Sequence, residues 1–316
     1  MTRSHHVWIV ASALCAFAIV TGLSSSRMSA QAKLIKNLFS HVMKSAEVDA
    51  RFAKIQDSWD VFVKTNHAVT FRVNTKKLPM TSHLEADEYW FVRKGAAKVA
   101  LQTGDAATSA PQDVGEGDVV YVPRNIAYEI DPGTSRFEYV ALRVFAPRPS
   151  RQGGAGRGGG ALAAATPPPT SYVAKKADID KTFASEPRTA QLRFPGGGSV
   201  NMIIYNGAIG PYESHEAADQ IYVVRYGTAK AAFDGRLINP TVTGPGQIRG
   251  TGYLDASEYT IGPGDIVWIP RNQMHFVDPG TGKIGYMLVG MPTSQSAFPE
   301  PPPATGRGAQ PGRGTQ

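Results

Sequence analysis

Short apolar runs set the pattern of this chain. "HAVTFRV" (67–73), "EYWFV" (88–92), "AKVAL" (97–101), "DVVYVP" (118–123), "YEI" (128–130) and "FEYVALRV" (137–144) are β-branched or aromatic, with Gly, Pro, Asp and Asn between them. Runs of this kind predict strands, and many short strands joined by turns predict an all-β sandwich or jelly-roll barrel. Helical spacing is confined to the starts of the patterned regions. In "LIKNLFSHVMKSAEVDARFAKI" (34–55) apolar residues recur every three to four positions, which predicts a helical lead-in.

The pattern is written twice. "SHLEADEYWFVRKG" (82–95) aligns without a gap with "SHEAADQIYVVRYG" (214–227), and half of the positions are identical. "GEGDVVYVPRNIAYEIDPGT" (115–134) matches "GPGDIVWIPRNQMHFVDPGT" (262–281), and "AEVDARFA" (46–53) matches "ADIDKTFA" (177–184). A repeat of this length and order implies duplication of a whole domain. Arg93 and Arg225 recur on the face opposite Glu88 and Gln220, where salt bridges or domain packing are expected of them.

The flanks set the boundaries. "MTRSHH", the apolar run "VWIVASALCAFAIVTGL" and Ala30-Gln31-Ala32 read as a signal peptide over 1–32, with a mature start near Lys33. The competing reading is an uncleaved membrane anchor. Export implies a periplasmic or extracellular protein with no stable membrane insertion after cleavage. Cys15, the chain's single cysteine, lies in that leader, so thiolate sites and disulfides are excluded from the mature protein. A first barrel with its helical lead-in is expected over 33–146 and a Gly/Pro-rich linker over 147–170. A second barrel over 171–292 and a disordered tail over 293–316 complete the expected domains.

The formal charge of +7 does not mark a nucleic-acid binder. Arg3, Arg27, Arg148, Arg151, Arg157, Arg307 and Arg313 lie in the leader, linker or tail, leaving little net charge for the folded parts. The glycines of "RQGGAGRGGG" follow no predicted strand and open no helix, so they read as linker rather than a phosphate loop. His41 and His67 stand alone and read as core or surface histidines.

The candidate chemistry lies in "YESHEAADQIYVVRYG" (212–227) and "GDIVWIPRNQMH" (264–275). Residues two apart on a strand share a face, so Glu213 and His215 both point into the barrel. His275 begins a returning strand after a Pro-Arg-Asn turn, and Gln220 starts a strand across a short turn from His215. Tyr222 and Val224 alternate inward from Gln220, and Trp268 or Ile269 lines the other wall. A longer insert within 233–264 reads either as a cover over this pocket or as a neutral surface insertion.

These motifs resemble those of the cupin superfamily, and the duplication resembles a bicupin. The family's Gly-x5-His-x-His-x4-Glu-x6-Gly reads here as Gly207-x5-Glu213-x-His215-x4-Gln220-x6-Gly227. Its Gly-x5-Pro-x-Gly-x2-His-x3-Asn reads as Gly264-x5-Pro270-x-Asn272-x2-His275, with Asn in place of a glycine at a position suited to positive φ. The resemblance implies two tandem jelly-roll barrels and a divalent ion (Fe, Mn, Ni, Cu or Zn) in the second, held by Glu213, His215 and His275. Gln220 is then a weak fourth ligand or a group that positions substrate, because an amide cannot act as a base.

At the matching places the first repeat has Thr75, Thr81, His83, Glu88 and Tyr128, and only His83 and Glu88 keep the family's identity. A structural barrel without metal is expected there, since a phenol ligand requires costly deprotonation. By analogy, the second barrel acts on a small oxygen-bearing molecule, and oxygenolytic cleavage as in quercetinase-like cupins fits best. Oxalate-decarboxylase-like chemistry fits less well, because Gln220 replaces the expected glutamate. The alternative is a non-catalytic protein that captures a sugar or organic acid. The expected partners are a small-molecule ligand and a second copy of the chain in a homo-oligomer.

Overall fold

The computed structural model describes residues 40–64, 66–83, 85–103, 107–145, 172–185 and 188–292. The leader expected over 1–32, the linker over 147–170 and the tail over 293–316 lie outside them. No helix among the described residues is long and apolar enough to cross a membrane.

The structure is all-β, with two jelly-roll barrels, as the strand pattern predicts. In the first, a six-stranded sheet runs Val173–Ala174, Val119–Val122, Asp87–Lys94, Phe137–Val144, His67–Asn74, Ser58–Val63. It faces a smaller sheet built from Leu78–Ser82, Ala127–Asp131, Ala96–Thr103, Ala107–Thr108 and Gln112–Gly115. In the second, a six-stranded sheet runs His41–Met43, Ile266–Ile269, Ala218–Gly227, Lys283–Pro292, Ser199–Asn206, Thr189–Arg193. Its partner sheet runs Thr241–Gly244, Gln247–Gly250, Tyr212–His215, His275–Asp278, Ala229–Phe233, Ser257–Ile261.

Each large sheet is edged by a strand from the other half of the chain. His41–Met43 pairs with Ile266–Ile269 of the second barrel, and Val173–Ala174 pairs with Val119–Val122 of the first. The lead-in is therefore not helical throughout: residues 41–43 are a crossing strand, and the helix is Ser45–Phe52. Pairing with the other barrel's edge satisfies backbone groups that would otherwise be left at an open sheet edge, and this overrides the local helical spacing.

A two-fold pattern of contacts fixes the crossing. The buried carboxylate of Asp265 accepts hydrogen bonds from Ser45 N (2.7 Å), Gly262 N (2.8 Å) and Lys44 Nζ. Asp118 mirrors it, accepting from Lys176 N (2.7 Å), Gly115 N (3.0 Å) and Lys175 Nζ (2.7 Å). Each carboxylate sits at the first turn of a helix from the other half, Ser45–Phe52 or Lys176–Ala184, where the helix dipole favours negative charge. Arg93 bonds Asp49 and the Gly264 carbonyl, while Arg225 donates to the Gly117 carbonyl and lies 3.9 Å from Asp180. These two arginines join the halves, in line with their recurrence in the sequence.

Between the barrels lies one apolar core. Val69, Phe71, Tyr89, Phe91, Tyr121 and Leu142 of the first half pack with Met202, Ile204, Ile221, Trp268 and Met287 of the second. Both helices bury residues at i, i+4 spacing here, Val48 with Phe52 and Ile179 with Phe183. Phe62 stacks on Trp268 across the interface at 5.1 Å. Burial of each such side chain stabilises by about 1.5–3 kcal/mol, so the two halves form a common core. The odd positions of the strand Asp87–Lys94 face this interface and the even ones face the barrel interior.

Candidate metal centre

Glu213 and His215 lie on the strand Tyr212–His215, and Glu213 stands directly opposite His275 on His275–Asp278. Cross-strand neighbours have adjacent side chains. His215 Nε2 is 3.7 Å and His275 Nε2 3.6 Å from Glu213 Oε1, and the two imidazole centroids are 4.9 Å apart. One ligand atom from each residue lies within 4.8 Å of the others. The turn that places His275 is fixed by Asn272, which takes φ 66° and donates its backbone N–H to the His215 carbonyl at 2.7 Å. Asparagine fills that left-handed position as the sequence suggests.

The electrostatics fit a cation. Burial pushes the Glu213 carboxyl up, but hydrogen bonds and positive charge from His215 and His275, when these imidazoles are protonated toward it, outweigh this and hold the group well below the usual carboxylate range; a metal ion in the protons' place acts the same way. His275 Nδ1 bonds the Gln273 carbonyl at 3.3 Å, which assigns the proton to Nδ1 and leaves the lone pair on Nε2. That Nε2 is buried and has no hydrogen-bond partner. An orphaned imidazole nitrogen, a second imidazole and a carboxylate converging on one point are the donor set of a divalent ion.

Gln220 is buried, and its Oε1 accepts a hydrogen bond from the Tyr222 hydroxyl at 2.9 Å. One acceptor site of the carbonyl expected as a weak fourth ligand is thus engaged, and the amide NH2 offers donors to a substrate. Gly290 pairs with Gln220 on the neighbouring strand, and a Cβ added there would meet no atom within 4 Å. Open space therefore adjoins the amide. Tyr222 and Tyr286 stack at 4.5 Å, and burial pushes both phenols up in pKa, so they are neutral at the cavity floor. Of the two wall residues, Ile269 faces the barrel interior with Val267, while Trp268 turns into the interface between barrels.

The insert within 233–264 forms strands. Gln247–Gly250 pairs with the ligand strand, which sets Arg249 opposite Glu213. The Arg249 guanidinium, half exposed, brings Nε to 3.4 Å from Glu213 Oε2. Sequence reading missed this residue, because only register, not spacing, places it at the site.

The first barrel differs in kind. His83 Nε2 bonds the Tyr128 hydroxyl at 2.8 Å, and burial followed by the Glu88 charge pushes that phenol well above its usual pKa, which disfavours the phenolate a metal would need. Thr81 bonds a neighbouring carbonyl, that of Pro79. Glu88, fully buried, accepts from Arg143 Nε at 2.9 Å and Trp90 Nε1 at 2.7 Å. Arg72 and Arg143 hold the register positions that Ile203 and Gly290 hold in the second barrel: Arg72 pairs with Tyr139 as Ile203 does with Tyr286, and Arg143 with Glu88 as Gly290 does with Gln220. Guanidinium groups thus supply positive charge where the second barrel has an apolar side chain and open space. Arg143 breaks the inward apolar face of "FEYVALRV" set by Phe137, Tyr139 and Ala141, a signal the sequence carried.

No family model and no curated protein matches the chain at the level of sequence. Its structure is similar to a cupin 2 conserved barrel domain protein from Leptotrichia buccalis, with a TM-score of 0.50 and 10% identity, covering 78% of this chain and 94% of that one. It is also similar to a point variant of the salicylate 1,2-dioxygenase of Pseudoaminobacter salicylatoxidans, with a TM-score of 0.52 and 11% identity, covering 80% and 84%. The fold is that of the cupin barrel proteins, present twice in one chain, as the motifs suggest.

Proposed function

We propose that this is an exported metal-dependent bicupin whose second barrel holds one divalent ion through Glu213, His215 and His275. The buried, unpartnered Nε2 of His275 beside Glu213 carries this reading. A bound ion supplies Lewis acidity and open coordination positions for an oxygen donor. The chain supplies the rest: Gln220 offers amide protons to substrate, Gly290 leaves room beside it, and the tyrosine floor excludes water. Arg249 presents a cation at the mouth, which suits a substrate bearing a carboxylate or phenolate.

Among the described residues no carboxylate other than Glu213 joins the cluster, and the cavity tyrosines are held neutral. The described pocket offers no general base apart from the ligands themselves, which suits a substrate that arrives ionised or reacts without proton abstraction by the chain. A dioxygenase-type reaction on a small hydroxylated or enolic acid meets that condition. The same lack of a base also favours the second reading, capture of a small acid without turnover.

Dioxygen uptake separates the two. Full-length mature protein loaded with Fe, Mn, Ni or Cu is offered salicylate, flavonols and diketones. Uptake that requires metal and is lost in His275→Ala supports catalysis. Ligand binding without uptake across the panel supports capture.

A further inference from the structure

The first barrel contains a charged interior that the second barrel's chemistry does not use. Arg72, Arg143, His83, Glu88, Tyr128, Tyr139 and Trp90 all belong to it, and their cations and acids do not balance. Glu88 has both oxygens engaged, by Arg143 and by Trp90. Among the described residues it is the one carboxylate whose charge acts on Arg72. Arg72 interacts with the phenols of Tyr128 and Tyr139, yet neither its buried Nε nor the Tyr139 hydroxyl makes a well-formed hydrogen bond. Two guanidinium groups thus face one carboxylate, and two polar atoms beside them, Arg72 Nε and the Tyr139 hydroxyl, have hydrogen-bonding capacity to spare.

Buried donors are nearly always satisfied, and a buried charge without a counterion is costly. The second barrel solves its own balance with apolar Ile203 and open Gly290 at the same register positions. Arginine there is not required to build the barrel. The opening is also present: the side chains of His83 and Arg143 are 22% and 23% exposed, so the charged interior reaches solvent.

We propose that the first barrel binds a small monocarboxylate between Arg72, Arg143 and the Tyr139 hydroxyl. One negative charge neutralises the surplus guanidinium. A planar two-oxygen anion matches the arginine fork, and the phenol gives it a third donor. The site makes the chain a two-site protein, with an anion site and a metal site on opposite sides of a shared core. It does not depend on metal in the second barrel.

Acetate is the probe, titrated calorimetrically into full chain carrying His275→Ala so that a metal-bound carboxylate in the second barrel does not contribute. Acetamide at equal ionic strength is the neutral control. Acetate should bind at a single class of site and acetamide should not. Arg72→Met should weaken acetate by about tenfold or more, and Tyr139→Phe by a few fold, as loss of hydrogen bonds to a charged group requires. Should Arg72→Met fail to fold, Arg72→Lys and Tyr139→Phe supply the comparison. No acetate binding, equal binding of acetamide, or unchanged affinity in the Tyr139→Phe and foldable Arg72 variants would overturn the proposal.

Discussion

His275 Nε2 and Glu213 Oε1 face each other at 3.6 Å across two antiparallel strands, with no hydrogen bond between them. Both atoms carry lone pairs, because His275 keeps its proton on Nδ1 toward the Gln273 carbonyl. Lone pairs held at that distance in a buried place repel unless a cation or proton lies between them. The strand register and the Asn272 turn enforce the approach, so the backbone has built a cation site before any ion arrives.

Gln220 tunes that site. Replacement by glutamate keeps an acceptor for the Tyr222 hydroxyl and adds a negative charge near the ligands. Gln220→Glu should tighten metal binding, and Gln220→Ala should leave most metal affinity while weakening substrate. Competition with a fluorescent chelator measures both. Unchanged metal affinity in Gln220→Glu would show that the side chain does not sense the ion.

Arginine, more than the loss of ligands, sets the first barrel apart. Thr81→Glu with Tyr128→His restores the second barrel's ligand residues but leaves Arg72 and Arg143 in the cavity. This double variant should bind no second ion. Adding Arg72→Ile and Arg143→Gly, the residues of the second barrel, should create a second metal equivalent by elemental analysis. Metal uptake by the double variant alone would contradict the account.

Crossed strands make the halves interdependent. Asp265 accepts from Ser45 N, Gly262 N and Lys44, and its loss leaves two part-buried N–H groups unpaired. Asp265→Ala should cost at least about 3 kcal/mol in chemical denaturation, since each of the two backbone bonds to this charged group is worth about 1.5–3 kcal/mol and the bond to exposed Lys44 adds less. Expressed alone, either half exposes the shared apolar core and should aggregate, whereas co-expressed halves should copurify. A soluble, cooperatively folded single half would refute this.

Acid should weaken the interface through His67. Burial lowers its pKa to about 4 from the ordinary 6.5, opposed in part by Asp219. Its ring accepts from Trp268 Nε1 at 3.1 Å across the interface. The unfolded chain takes up this proton first, so the contribution is fully present above pH 6.5 and is lost as pH falls toward about 4. In that window His67 removes up to roughly 1.4 kcal/mol per pH unit. Denaturation midpoints across the window should drop more steeply for the native chain than for His67→Gln. Parallel slopes would assign the acid sensitivity elsewhere.

Much of this architecture is legible in the sequence. Alternating runs give the strands, the duplication gives two barrels, and the spacing of Glu213, His215 and His275 gives the cluster. What the sequence conceals depends on partners distant in the chain. His41–Met43 follows a helical period, yet a free sheet edge more than two hundred residues away captures it. Arg249 reaches Glu213 only through the register of the insert's strand. The Gln220 carbonyl is engaged by Tyr222 on the same strand face, a side-chain choice that residue types alone leave open.

The central claim is most directly tested by the metal content of full-length mature protein, purified without chelator and then dialysed against Fe, Mn, Ni, Cu or Zn. The account predicts one equivalent of a divalent ion per chain. It also predicts loss of that ion in His275→Ala, because one of three strong ligands is gone, and retention in Tyr128→Phe. A metal-free native chain, two equivalents per chain, or an ion that survives His275→Ala would contradict it.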